Sequence, residues 1–387
     1  MEVFAVDASS AQIAWRGLPP GVLTASSGSM QSVLGESGRA GVGEITGLAG
    51  ATAHPVDLYV DDRIVAQLTI RTAAPLPGEF IGRVATISDM HLGESAFGLT
   101  RTMRESSEFS APYPVRCSIA AVHEAQEWGA ELIVFKGDIT HSGLPSQWEL
   151  FDRVLDEIDV PIMTVPGNHD VVGVTGAIDH RRALDLRGLD SSDVQWRSIG
   201  SARVVAVDTT IPGKGSGTLQ GRLTQLLDAV DTDDPALVFA HHHFEHTQVR
   251  YFWPPGVGPA ETADVLHILA DTNPDLLISS GHTHRNRART VAGMLVTEVG
   301  SVKDHPGVWA GYDIHKDAVR QTVRRVADPS CVEWTDRTSN AVGGIWGVWS
   351  PGNISQRSVS HRWPSSLGRQ HPEPTQAVTD PVVPSRA

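Results

Sequence analysis

Cysteine is almost absent from this chain: Cys117 and Cys331 are the whole complement among 387 residues. Two thiols so far apart in sequence build no disulfide framework, so the fold must rest on buried apolar surface, and a reducing compartment fits. Long apolar runs are also missing. Nothing approaches the roughly 18 residues a membrane-spanning helix needs, and no membrane partner is expected. Basic charge is in deficit, with 31 Lys and Arg against 45 Asp and Glu for a formal net charge of −14. Phosphate backbones demand a basic track, which argues against a nucleic-acid polymer as the main partner. The first residues, Met1 to Asp7, show no basic segment leading into an apolar one, so no secretory signal is expected and the cytoplasm is the default location. No internal repeat is present. What remains is an ordinary globular composition, 40% hydrophobic and 20% charged, in a chain long enough for one large domain and a small one.

Residues 1–80 carry the marks of a small β-sandwich-like accessory domain. Segments of high β propensity at 12–15, 56–60 and 64–70 alternate with Gly, Pro and Ser clusters. Val56, Leu58 and Val60 share one face at period two, and Asp61-Asp62 marks a turn into the next strand. The pattern predicts roughly five to seven antiparallel strands, with the stretch 27–43 unassigned. From residue 81 the rhythm becomes alternating strand and helix. Helices are predicted at 115–128, 146–158 with Ser146 as N-cap and Glu149 three residues on, 219–230 and 261–270. Strands are predicted at 84–87, 131–136, 161–165, 203–208, 236–240, 275–280, 294–299, 311–314 and 319–326. That alternation reads as one α/β domain over 81–330. Residues 331–387 form a C-terminal extension, poor in apolar residues beyond Ser350 and expected to be disordered from there.

Chemistry-bearing side chains gather at the ends of these strands. Asp89 and His91 follow the strand 84–87; two apart in an extended backbone, they would leave it on one side. Gly137-Asp138, Gly167-Asn168-His169-Asp170, His241-His242-His243 and Gly281-His282-Thr283-His284 follow later strands in order. Any one of these is a common surface accident, and Asp138 or Asn168 alone reads as a turn cap. Five in order, each closing a strand, lie where α/β folds place their chemistry. The donors are carboxylate, amide and imidazole without thiolate, which suits Mn, Fe, Zn or Co as divalent or trivalent ions. Seven of them are too many for one tetrahedral ion and suit two ions sharing a carboxylate.

The order Asp-x-His, Gly-Asp, Gly-Asn-His-Asp, His, Gly-His-x-His resembles that of the calcineurin-like metallophosphoesterase superfamily over residues 84–300. The resemblance implies a four-layer α/β/β/α sandwich behind the small N-terminal all-β domain. It implies that Asp89, His91 and His284 hold one metal ion, that Asn168, His241 and His282 hold a second, and that Asp138 bridges them. His242 is the alternative to His241. His169 would be the acid or oxyanion-stabilising histidine, Asn168 a further stabiliser and Asp170 the residue that orients His169. The activity implied is hydrolysis of a small phosphoric ester by in-line attack of a metal-bridging hydroxide. A phosphodiester of the cyclic-nucleotide or glycerophosphodiester kind is the favoured substrate. A phosphomonoesterase on the same metals, a nuclease and a non-catalytic protein-binding scaffold are the rivals.

Departures from the family pattern matter as well. Purple acid phosphatases carry a metal-binding Tyr three residues after the Gly-Asp aspartate; His141 stands there in this chain and argues against a purple Fe(III) centre. His123, His141, His180, His246, His267, His305 and His315 are read as surface or structural. Phe244, Tyr251, Phe252 and Trp253 offer either a stacking platform for a flat leaving group or a loop packed on its own domain. Arg285 and Arg287 stand between a role toward a second anion and simple solvation. Residues 93–114, with Arg101, Arg104 and Tyr113, are candidates for the pocket rim.

Overall fold

The computed structural model describes residues 1–98, 100–105, 109–245 and 254–367. It opens with β1 (Glu2–Val6), β2 (Ser10–Trp15), β3 (Val22–Ser27), β4 (Met30–Glu36), β5 (Gly41–Thr46), β6 (Ala53–Val60) and β7 (Arg63–Arg71). These divide into the sheets β1-β2-β5 and β4-β3-β6-β7. Ile13, Leu23, Leu34, Leu58 and Ile70 fill the space between them, as the two inner faces of a sandwich must. The stretch 27–43, unassigned from sequence, contains β4; its Gly and Ser residues pair through the backbone and leave little side-chain pattern. The unit seats on the rest of the chain partly through charge. Asp7 meets Arg320 at 2.8 Å and Arg324 at 3.2 Å, and the Gln12 amide exchanges two 2.8 Å bonds with the main chain of Arg325.

The remainder runs β8 (Phe80–Ile87), α1 (Tyr113–Glu127), β9 (Leu132–Lys136), α2 (Pro145–Leu155), β10 (Ile162–Val165), α3 (His180–Asp185), β11 (Val194–Ile199) and β12 (Ala202–Val207). It continues with α4 (Leu223–Val230), β13 (Ala236–Ala240), α5 (Pro259–Thr272), β14 (Leu276–Ser280), β15 (Arg287–Val291) and β16 (Met294–Glu298). It closes with β17 (Val308–His315), β18 (Ala318–Arg325), α6 (Pro329–Thr338), α7 (Ile345–Trp349) and β19 (Ser358–Arg362). Two six-stranded sheets result, ordered β10-β9-β8-β17-β18-β19 and β11-β12-β13-β14-β16-β15. β9, β13 and β14 are buried along their whole length, which is why they read as short apolar runs without alternation. Val134, Leu237, Phe239, Leu277 and Tyr312 interlock between the sheets. α1, α2 and α6 cover the outer face of the first sheet, and α4 and α5 that of the second. The architecture is the four-layer α/β/β/α sandwich with N-terminal all-β strands beside it.

Two expectations need correction. α2 is not capped by Ser146: Leu144 is its N-cap and Pro145 its first residue, where a fixed φ and a missing N–H cost nothing. The Gln147 side-chain oxygen reaches back to accept from the N–H groups of Ser142 and Leu144, at 2.8 and 3.4 Å. Disorder beyond Ser350 does not hold for residues 350–367. β19 pairs antiparallel with β18 from Ser358↔Thr322 to Arg362↔Ala318. Trp363 behind it is wholly buried, its Nε1 donating to the His315 carbonyl at 3.0 Å. A polar edge strand pairs through its backbone and needs only one large anchor, so composition alone misreads it. Residues 368–387 lie outside the described residues.

Cys117 and Cys331, distant in sequence, come together as buried free thiols where α1 meets α6. The residues before them are joined as well, Arg116 Nε donating to Ser330 Oγ at 3.0 Å. A hydrogen bond with Cys117, and burial, push the Cys331 thiol far up. Among the described residues no helix is long and apolar enough to cross a membrane.

Candidate metal centre

β8 and β9 are parallel neighbours, and the loops that follow them keep running side by side. The N–H groups of Asp89, His91 and Leu92 donate to the carbonyls of Gly137, Asp138 and Ile139 at 3.1, 2.8 and 2.9 Å. Asp89 and His91 therefore do not leave an extended backbone, contrary to the expectation above. Their φ angles are 57° and 47°, and Asp138, His282 and His284 repeat the conformation at 49°, 67° and 51°. Left-handed backbone costs a non-glycine residue about 1–2 kcal/mol, and here it turns the side chains of several loops inward. Gly137 permits the close approach: a Cβ on it would stand 2.7 Å from His241 Nδ1.

The donor atoms form two adjoining knots. His284 Nε2 lies 3.4 Å from Asp89 Oδ1 and 3.4 Å from His91 Nε2, which is 3.4 Å from Asp138 Oδ2. The other oxygen of Asp138, Oδ1, is 3.5 Å from His241 Nε2. That nitrogen is 3.1 Å from Asn168 Oδ1 and 3.2 Å from His282 Nδ1. Asp138 thus faces one knot with each oxygen.

Partners behind the rings decide which nitrogens carry lone pairs. A carbonyl only accepts, so His241 Nδ1 donates to the Lys136 carbonyl at 2.8 Å and His282 Nε2 to the Pro255 carbonyl at 3.1 Å. The remaining nitrogens, His241 Nε2 and His282 Nδ1, face each other at 3.2 Å. Burial first, then the neighbouring His241 and His243 rings, keep His282 from holding a second proton. His91 is pushed down by burial in the same way. His284 behaves differently: Asp304 and Asp89 outweigh burial and push it up to about 10. Despite its own burial, Asp89 is held well below the usual carboxylate range by His284 and His241. Carboxylates and imidazole nitrogens gathered this closely offer several donor atoms to a cation between them. The sets Asp89–His91–His284 and Asp89–Asp138–His241, each with donor atoms within 4.8 Å of one another, fit divalent metal ions.

The surrounding residues correct several readings. His169 donates from Nδ1 to the His141 carbonyl at 2.9 Å, and its ring stands 4.5 Å from that of His91 between centroids. Nε2 is the nitrogen left for chemistry. Asp170 does not orient this ring. Its carboxylate accepts instead from the N–H groups of Gly167, Ile139 and Thr140 at 2.9, 3.1 and 2.7 Å, tying the loop of Asn168 to the loop of Asp138. His242 turns Nδ1 to the Thr209 hydroxyl at 2.9 Å and packs against His282. It is close enough to share an ion with His241 and His282, but His241 is the one that meets Asn168 and Asp138.

Arg285 and Arg287 converge with Arg289 on the buried Glu298, at 3.1, 3.9 and 2.6 Å. Phe244 is buried behind the second sheet and is no stacking platform; His246, Tyr251, Phe252 and Trp253 lie outside the described residues. Tyr113 is interior too, its hydroxyl donating to Glu94 at 2.7 Å. His141 lies beside the site, its ring 5.4 and 5.8 Å from those of His169 and His91. Asp304, overlooked in the sequence, accepts from His284 Nδ1 at 2.7 Å and from Trp346 Nε1 at 2.9 Å. No local spacing marks it, because its partners come from other loops.

Two facing sheets that gather carboxylate, amide and imidazole donors at their strand ends define a metal-binding hydrolase of the α/β/β/α class. The model of the calcineurin-like phosphoesterase family matches residues 82–286, more than half of the sequence. The chain belongs to that family. It is 26% identical over 217 residues to a probable glycerophosphodiester phosphodiesterase of Arcobacter nitrofigilis, covering 53% of this chain and 74% of the relative. It is 28% identical over 188 residues to a probable cyclic nucleotide phosphodiesterase of Psychrobacter arcticus, covering 44% and 63%. With the 3',5'-cyclic adenosine monophosphate phosphodiesterase of Pseudomonas aeruginosa it shares 25% over 182 residues, covering 46% and 63%. The chain spans less than two thirds of the length of these last two. Among solved structures, a dimetal phosphatase from Danio rerio superposes with a TM-score of 0.49 at 17% identity, covering 64% of this chain and 97% of that one.

Proposed function

We propose that this chain hydrolyses a small phosphodiester at a dinuclear centre. Asp89, His91 and His284 hold one ion, Asn168, His241 and His282 the other, and Asp138 joins them. The observation that supports this most is the convergence of Asn168 Oδ1, His282 Nδ1 and Asp138 Oδ1 on His241 Nε2, at 3.1, 3.2 and 3.5 Å, a buried cluster of donor atoms that a cation would hold together favourably. Mn, Fe, Zn and Co all suit the donors. When bound, such a pair of ions supplies an acidic water near neutral pH and positive charge for the phosphoryl oxygens.

The chain's own residues supply the rest. His169, its Nδ1–H fixed by the His141 carbonyl, keeps Nε2 for the substrate. Protonated there, it steadies charge building on the phosphoryl group and passes the proton to the leaving alkoxide. No covalent enzyme intermediate is needed. The diester preference is supported by relatives named as glycerophosphodiester and cyclic nucleotide phosphodiesterases.

The test is protein reconstituted separately with Mn, Fe, Zn and Co, assayed on bis(p-nitrophenyl) phosphate and p-nitrophenyl phosphate with metal content measured alongside. The expectation is diester turnover above monoester turnover and about two ions per chain, both lost in Asp138→Ala. Full turnover and metal content in that variant would overturn the assignment. A monoester preference with the metals intact would replace the substrate class and leave the centre standing.

A further inference from the structure

Lys303 is fully buried, and nothing in the reaction described above uses it. Its ammonium lies 2.6 Å from Glu94 Oε2 and 3.5 Å from Asp304 Oδ2, over the Phe97 ring at 4.8 Å. Burial pushes an ammonium down, and here Glu94 and Asp304 outweigh it and push Lys303 up. Taking an ammonium and two carboxylates out of water is unfavourable, and apolar side chains of the same volume would pack there without that penalty. What the three charges hold in place therefore matters more than the stability they add.

Both carboxylates stand directly behind proposed ligands of one ion. The Asp304 Oδ2 that faces Lys303 is the oxygen that accepts from His284 Nδ1 at 2.7 Å, while Oδ1 takes the Trp346 indole N–H at 2.9 Å. Glu94 closes the turn after His91, its N–H donating to the His91 carbonyl at 2.9 Å. Glu94 Oε2 also accepts from the Tyr113 hydroxyl at 2.7 Å. Tyr113 stacks on Trp334, whose Nε1 donates to the Lys303 carbonyl at 2.8 Å. The lysine is thus pinned at its main chain and at its tip. Among the described residues, its ammonium pairs with Glu94 and Asp304 and reaches none of Asn168, His241 and His282.

We propose that Lys303 is a positioning residue for the ion of Asp89, His91 and His284. One ammonium clamped between Glu94 and Asp304 locks the His91 loop to His284, and so sets how tightly that ion, and not its neighbour, is held. The inference rests on the reading of the centre given above. His91 and His284 stand 193 positions apart in sequence with their Nε2 atoms 3.4 Å apart, so their spacing depends on what joins the two loops. A ligand whose partner can swing loses orientation, which is how residues behind a ligand reach the metal. Lys303→Met leaves Asp304 Oδ2 with His284 alone and Glu94 Oε2 with Tyr113 alone.

The test titrates metal-free protein with Mn by calorimetry, counts the bound ions and records urea unfolding of the same samples. Wild type, Lys303→Met, Asp304→Asn and the variant carrying both changes close a double-mutant cycle. Lys303→Met is expected to weaken one ion roughly tenfold and leave the other unchanged, and to add little once Asp304→Asn is present. A second double variant, Lys303→Met with Glu94→Gln, removes the carboxylate left without its cation. It is expected to recover stability toward urea without recovering the ion, and it carries the comparison if Lys303→Met does not fold. Two ions held as tightly as in wild type, both weakened alike, or a full effect on top of Asp304→Asn overturns the inference. So does an ion regained together with stability. Wild type that binds a single Mn, weakened by Lys303→Met, supports the clamp and counts against the dinuclear reading. Wild type that binds none overturns both.

Discussion

The carboxylate of Asp170 accepts both the main-chain N–H and the hydroxyl of Thr140, each at 2.7 Å. With its bonds from Gly167 and Ile139 it makes one rigid piece of the loops that carry Asn168 and Asp138. Asp170→Asn keeps the shape but sets an amide donor against main-chain N–H groups. Unfolding in urea should show the variant destabilised by about 2–3 kcal/mol, and metal analysis should show both ions depleted. A variant as stable as wild type would mean the loops are held by something else.

Asp304→Asn tests the division of donors between the two ions. Asp304 touches His284 alone among the proposed ligands. Its loss should weaken one ion roughly 10–100-fold, as removal of a ligand's hydrogen-bond partner does, and leave the other nearly as tight. Titration of metal-free protein with Mn followed by metal counting distinguishes a one-ion loss from a loss of both.

Chelation should cost stability as well as activity. If the ions bind only the folded chain, stripping them from a state a thousandfold above Kd removes about 4 kcal/mol. The melting temperature should fall on treatment with a chelator and recover when Mn is restored in excess. A melting curve indifferent to chelator would contradict cations at these donors.

Glu124 predicts a pH dependence unrelated to the metal site. Its carboxylate accepts from Trp309 Nε1 at 2.9 Å and from the Ala327 N–H at 2.7 Å. Burial outweighs these bonds and pushes its pKa up to about 7 from the usual 4.5. The folded value lies above the unfolded one, so the stabilising share is complete below pH 4.5 and is lost as pH rises through 7. Between pH 5 and 8 wild type should lose about 2 kcal/mol relative to Glu124→Gln. Paired denaturant curves at those pH values measure it, and parallel curves would refute it.

What the sequence discloses and what it hides divide along a physical line. Asp89, His91, Asp138, Asn168, His241, His282 and His284 are legible because each follows a buried apolar strand at short, fixed spacing, and the structure brings them together. The residues that aim them are not legible. Asp304 is 20 positions from His284, and the carbonyl that turns His169 belongs to His141, 28 positions away. A backbone oxygen has no letter of its own in a sequence. Asp170 misleads for a related reason: its neighbour in sequence is His169, but its bonds run to the Gly167 N–H and to Ile139 and Thr140 of another loop. Residues 350–367 are hard to read because β19 pairs through its backbone, with Trp363 as its one large anchor.

The left-handed turns at Asp89, His91, Asp138, His282 and His284 leave a directional mark on how this fold can decay. At each of them the backbone would be eased by glycine, while the chemistry forbids it. In the metal-free protein Asp138→Gly should therefore outlast Asp138→Ala by about 1 kcal/mol. A lineage released from selection for catalysis would find its ligand positions sliding downhill toward glycine, gaining robustness at the very residues where it loses its trade.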